Sequence, residues 1–233
     1  MPDAARWTPL LWNERLMDIA ALIQNISIAA LPVVLAITLH EAAHGYVARH
    51  FGDPTAWQAG RISLNPLRHI DPFGTVILPL LLFIMQSPFL FGWAKPVPVN
   101  FSRLRHPKSD MLWVAAAGPA VNLLMALGWA GLFKLALVMP PNAYSLPLIK
   151  MSGIGIGINL ALMVLNLLPL PPLDGGRIAV SLLPQPLAMK FAKLERWGFV
   201  ILLALLFFHV LDYIMWPFVR LLTNLIVILF QLN

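Results

Sequence analysis

An apolar run over residues 19–38 leads without a break into Leu39-His40-Glu41-Ala42-Ala43-His44. The run is long enough to cross a bilayer, where only backbone that satisfies its own hydrogen bonds is stable, so it reads as a helix. Residues four apart share one helix face. His40 and His44 can therefore send two imidazoles to one metal ion, and Glu41 can reach a water beside it, the H-E-x-x-H pattern of zinc hydrolases. Ionisable groups at membrane depth are costly, so such a cluster is a functional site by default.

Composition supports the membrane setting. The chain is 59% hydrophobic and 11% charged, against about 25% charged in soluble domains. It reads as one integral-membrane domain over residues 1–233, with a core at about 17–178 and carboxy-terminal helices over 195–232. There is no cysteine, which excludes disulfides, thiolate metal sites and a Cys nucleophile. The net charge of +6 is spread between apolar spans, which suits a negatively charged lipid surface and not nucleic acid. Residues 1–11 carry no evident cleavable signal.

The first span covers about 17–50, through Pro32, and stops at Gly52-Asp53-Pro54. A turn-rich loop over 51–74 follows, in which residues 60–65 alternate as a short strand would. Residues 75–91 are apolar but barely long enough to span, and Pro79 and Pro88 interrupt them. Residues 94–100 read as extended chain because of Pro96 and Pro98. Further apolar helices cover about 110–139, 146–168, 195–213 and 216–232, the last spanning or lying in the interface. The predicted fold is an all-α polytopic membrane protein. It has about five to six transmembrane helices and a partly re-entrant, β-like segment between the first and second full spans.

A catalytic zinc takes three protein ligands and one open position. The third could be His, Glu or Asp. Asp174 is the best placed, a lone carboxylate after a span, between Pro171-Pro172 and Gly175-Gly176, where backbone can leave the helix to present it. The alternative is an ordinary turn Asp before glycine. If Asp174 meets His40 and His44, the first span and the 146–168 span must run parallel. An odd number of crossings then separates them, so the 75–91 stretch dips in and returns, which is tolerated only against protein or water. On that topology Arg49, Arg61, Arg68, Lys95, Arg103, Arg105, Lys108, Arg177, Lys190, Lys193 and Arg196 share one side. Arg6, Arg15 and Lys150 keep the other. The positive-inside rule makes the first side cytoplasmic.

The chain resembles the site-2 protease family of intramembrane zinc metalloproteases. The matching residues are His40-Glu41-Ala42-Ala43-His44, Gly118-Pro119-Ala120-Val121-Asn122, and Asn166 through Leu173-Asp174-Gly175. The compact form is similar to the small bacterial-type branch without PDZ or CBS domains. The resemblance implies one zinc ion held by His40, His44 and Asp174. It implies Glu41 as general base and acid, with Asn122 and Asn166 binding substrate or the oxyanion; both amides read equally as interhelical hydrogen bonders. It further implies a multi-pass protein of the cell membrane, its active site near the cytoplasmic side. Its partners are then the lipid bilayer and substrates with a transmembrane helix, cut in regulated intramembrane proteolysis. The competing reading is a catalytically silent adaptor or chaperone for transmembrane helices. Glu41 weighs against it, because binding alone needs no general base.

Overall fold

The computed structural model describes residues 8–85, 92 and 94–232, with side chains described from residue 23 onward except at 76, 79, 82 and 83. Residues 1–7 and 86–91, and with them the expectation placed on Pro88, lie outside the described residues. The helices are α1 (Thr8–His50), α2 (Thr55–Gln58), α3 (Leu78–Ile84), α4 (Pro107–Val138), α5 (Ser145–Leu167), α6 (Asp174–Leu182), α7 (Gln185–Ala192), α8 (Glu195–Phe207) and α9 (Val210–Phe230). Among the described residues there is no strand.

Four helical segments are long and apolar enough to cross a membrane: Ile23–His50, Pro107–Val138, Ser145–Leu167 and Val210–Phe230. The chain is thus an all-α, multi-pass membrane protein. Among the described residues the span count is four, where the sequence suggests five to six. At 1.5 Å per residue, the 13 residues of α8 reach only about 20 Å, against about 30 Å of hydrocarbon. The left-handed backbone at His209 (φ 56°) separates α8 from α9. A π-helix over Pro72–Ile77 (6 residues) runs directly into the 7 residues of α3; together they reach at most about 20 Å, and among the described residues this stretch is not long enough to cross.

The core forms where α4 and α5 pack along each other. Ala126, Trp129 and Ala130 meet Ile156, Leu160, Met163 and Val164, and α9 adds Val219 and Ile226. Small residues on α4 let the helices approach closely, which is what drives packing where lipid is as apolar as protein. The last helix therefore belongs to the bundle. Helix α1 packs against both α4 and α5.

The connection from α1 to α4 returns to where it began. The Arg105 N–H donates to the Phe51 carbonyl at 3.0 Å, and the Lys95 N–H to the His69 carbonyl at 2.9 Å. Arg61 Nη2 donates to the Lys95 carbonyl at 2.7 Å. The connection therefore begins and ends beside the same end of α1, as the meeting of His40, His44 and Asp174 requires. The β-like expectation is not met, because the backbone groups of these segments find other partners. Pro96 and Pro98 have no N–H to offer a ladder. The Val97 N–H donates to Glu41 at 2.7 Å and the Asn100 N–H to Asp53 at 2.6 Å.

Candidate active site

His40 and His44 lie on one face of the last three turns of α1, their rings edge to face with centroids 4.7 Å apart. Each ring is fixed from behind. His44 Nδ1 lies 2.7 Å from the Val114 carbonyl. A carbonyl only accepts, so Nδ1 carries the proton and Nε2 presents a lone pair. His40 Nδ1 lies 2.6 Å from Asn122 Oδ1, with the same result. Gly118 makes room for both rings. A Cβ there would stand 2.5 Å from His40 Cε1 and from His44 Nε2.

Asp174 opens α6, and the turn that ends α5 brings it to the histidines. A Cβ on Gly175 would lie 2.3 Å from the Leu167 carbonyl oxygen, and one on Gly176 2.3 Å from Pro171 N. The two glycines therefore let the first turn of α6 sit directly on the end of α5. This corrects the expectation that they free the backbone from helix. The departure from helix lies at residues 168–173, and Asp174-Gly175-Gly176 is already helical.

Asp174 Oδ2 lies 3.3 Å from His40 Nε2 and 3.3 Å from His44 Nε2. The two Nε2 atoms are 3.1 Å apart. Three electron-rich atoms thus converge in a buried place, and Asp174 Oδ2 has no hydrogen-bond donor. Mutual repulsion would open such a cluster unless a cation sits between its members. Ligands about 2.1 Å from one tetrahedral zinc stand about 3.4 Å from each other, close to the separations found. His40, His44 and Asp174 form a group able to hold one metal ion, and the donor set suits zinc.

Glu41 is half-buried beside this group, and its Oε2 accepts from Val97 N at 2.7 Å. Asp53, 0% exposed, anchors the same loop by accepting from Asn100 N and Thr55 N. Asn122 is fully buried, and all its listening groups are engaged: Oδ1 with His40, Nδ2 with Asn159 Oδ1 at 2.9 Å and the Ala36 carbonyl at 3.3 Å. Asn166 is half-buried and donates to the Leu162 carbonyl at 3.0 Å. Sequence reasoning passed over Asn159 and Val97. An amide inside the apolar run of α5, seven residues before Asn166, was a signal for the first. A backbone N–H carries no residue-type signal for the second.

Fold and site define a membrane-embedded zinc metalloprotease, and comparison with known proteins agrees. Residues 130–208 match peptidase family M50. The chain is 40% identical over 190 residues, 79% of its own length and 82% of the relative's, to a Bacillus subtilis protein named "Putative zinc metalloprotease YwhC". It is 32% identical over 174 residues to the Mycolicibacterium smegmatis protein named "Putative zinc metalloprotease Rip2", covering 74% of this chain and 64% of that one. A Mycobacterium tuberculosis protein of the same name is 29% identical over 174 residues, covering 74% and 63%. The chain thus spans less than two thirds of these two mycobacterial relatives. No solved structure gives a significant match. The chain belongs to peptidase family M50, the site-2 protease family.

Proposed function

We propose that this metalloendopeptidase cuts transmembrane or juxtamembrane segments of membrane proteins, as in regulated intramembrane proteolysis. The observation that carries the reading is the seat of the His40–His44–Asp174 group, on α1 and beside the end of α5, both apolar enough to span. A substrate reaching it arrives most directly through lipid. The loop cations that collect at this end of the bundle support a cytoplasmic-side site in the cell membrane. The whole chain acts as one domain in this reading, α8 and α9 buttressing the core.

His40 and His44 hold the metal through Nε2 and Asp174 through Oδ2. When bound, zinc supplies a Lewis acid for the scissile carbonyl and makes water acidic enough to be a nucleophile at neutral pH. Glu41 takes the proton of the attacking water and returns it to the leaving amine. The Val97 N–H occupies Glu41 Oε2 and leaves Oε1 for that proton. Asn166 keeps one N–H and its Oδ1 beyond the bond to Leu162, and these hold substrate backbone. Asn122 supports His40 instead, since its polar atoms are already paired. A helical substrate hides its peptide bonds in its own hydrogen bonds. Residues 60–65 and 94–100 receive the unwound segment only through the backbone groups that their contacts with Glu41, Asp53, Arg61 and His69 leave over.

The test is cleavage of a transmembrane reporter by purified protein in proteoliposomes. The wild type is expected to cut it. Glu41→Gln is expected to lower the rate by about 10²–10⁴-fold with zinc content unchanged. A zinc-loaded wild type that cut soluble peptides but left a panel of transmembrane reporters intact would overturn the membrane-substrate reading.

A further inference from the structure

We propose that Asn159 is a positioning residue of the metal site, which fixes through Asn122 the ring nitrogen of His40 that carries a proton. The inference rests on the reading of His40 as a zinc ligand. A neutral imidazole can bind a metal through Nε2 only if its proton sits on Nδ1. At His44 a backbone carbonyl, which cannot donate, secures this directly. At His40 the partner is a carboxamide, which can turn either an oxygen or an NH2 to the ring. Something must choose.

The choice is made two residues away. Asn159 Nδ2 lies 2.8 Å from the Gly155 carbonyl. That carbonyl only accepts, so the NH2 of Asn159 must face it and Oδ1 must face Asn122. Asn122 then answers with its own NH2, 2.9 Å from Asn159 Oδ1, and the Ala36 carbonyl at 3.3 Å asks the same of it. The only orientation left turns Asn122 Oδ1 to His40 Nδ1, at 2.6 Å. Every bond in the chain thus runs one way, from the His40 N–H to the Gly155 carbonyl. Asn122 and Asn159 are each 0% exposed, so bulk water offers neither of them another partner. A buried amide left unpaired is costly, and this keeps the chain from reversing. Gly155 and Asn159 are on α5, Asn122 on α4 and His40 on α1. The relay therefore makes the packing of three helices a condition for a metal-ready imidazole.

The test is the side-chain ¹⁵N NMR spectrum of His40 and His44 in the zinc-free protein, for wild type and Asn159→Leu, together with zinc affinity by competition with a chelator. The wild type is expected to show the Nδ1–H tautomer at both rings. In Asn159→Leu, His40 is expected to move towards a tautomer mixture while His44, held by Val114, keeps its signals. Zinc affinity is expected to fall about tenfold, the low end of effects from partners behind a ligand. Wild-type His40 protonated at Nε2, or unchanged His40 signals in Asn159→Leu, would overturn the proposal. So would His40 and His44 shifting together, which marks general damage to the bundle. The tautomer is read without metal, so it stands or falls separately from the assignment of His40 as a zinc ligand.

Discussion

Gly118 is where the least chemistry has the largest consequence. The position presents no side chain, yet the rings of His40 and His44 fill the volume its Cβ would take. Gly118→Ala must displace both imidazoles or push α4 away from α1, and overpacking of this kind costs about 1–3 kcal/mol. The expected outcome is a folded protein of lowered Tm that has lost most of its zinc, measured by thermal unfolding and elemental analysis on one preparation. Full zinc content in Gly118→Ala would show that the rings do not need that space. The histidine pair was legible in the sequence because four-residue spacing alone defines a helix face. The glycine that accommodates it stood out only as part of the motif shared with the family, and its reason did not, since nothing local separates a glycine required for close approach from one that merely fits. Asn122 was visible as an amide in an apolar helix, but its partner was not. The choice between substrate and His40 depends on which neighbours α1 and α5 bring to it.

At the scale of elements, the segment over 94–100 holds the answer to a question the sequence could only pose. Its prolines mark it as non-helical, and the alternation at 60–65 suggested a strand to pair with. Instead the segment is strapped to the end of α1 by two carboxylates, Glu41 at Val97 and Asp53 at Asn100. Between Pro96 and Pro98, the N–H of Val97 is the one available donor. Val97→Pro removes that donor while suiting extended backbone, and Val97→Ala keeps the donor while trimming the side chain. A hydrogen bond to a charged group is worth about 1.5–3 kcal/mol. The turnover rate of Val97→Pro is therefore expected to fall about tenfold to a hundredfold below that of Val97→Ala, with equal zinc content. Equal turnover in the two variants would remove the Val97 N–H from the mechanism. The turn before α6 shows a related limit. The prolines over 169–172 announced a break after α5, but the tight seat of Gly175 and Gly176 against Leu167 and Pro171 is a tertiary contact with no local signature.

For the whole molecule, the deciding feature is that two stretches far apart in the chain end at one place. The need for His40, His44 and Asp174 to meet at one depth implied parallel spans and a returning segment between them, and the bundle has that topology. Membrane crossings were less legible. An apolar stretch of marginal length reads alike whether it spans or not, and α8 is too short to cross once His209 breaks it from α9. The most direct measurement is zinc stoichiometry of the purified protein for wild type, Asp174→Ala and, as a control at an exposed carboxylate outside the group, Asp212→Ala. One zinc per chain is expected in wild type and in Asp212→Ala, and a large loss in Asp174→Ala. A full equivalent of zinc retained in Asp174→Ala would contradict the three-ligand centre and the convergence of helix ends that builds it.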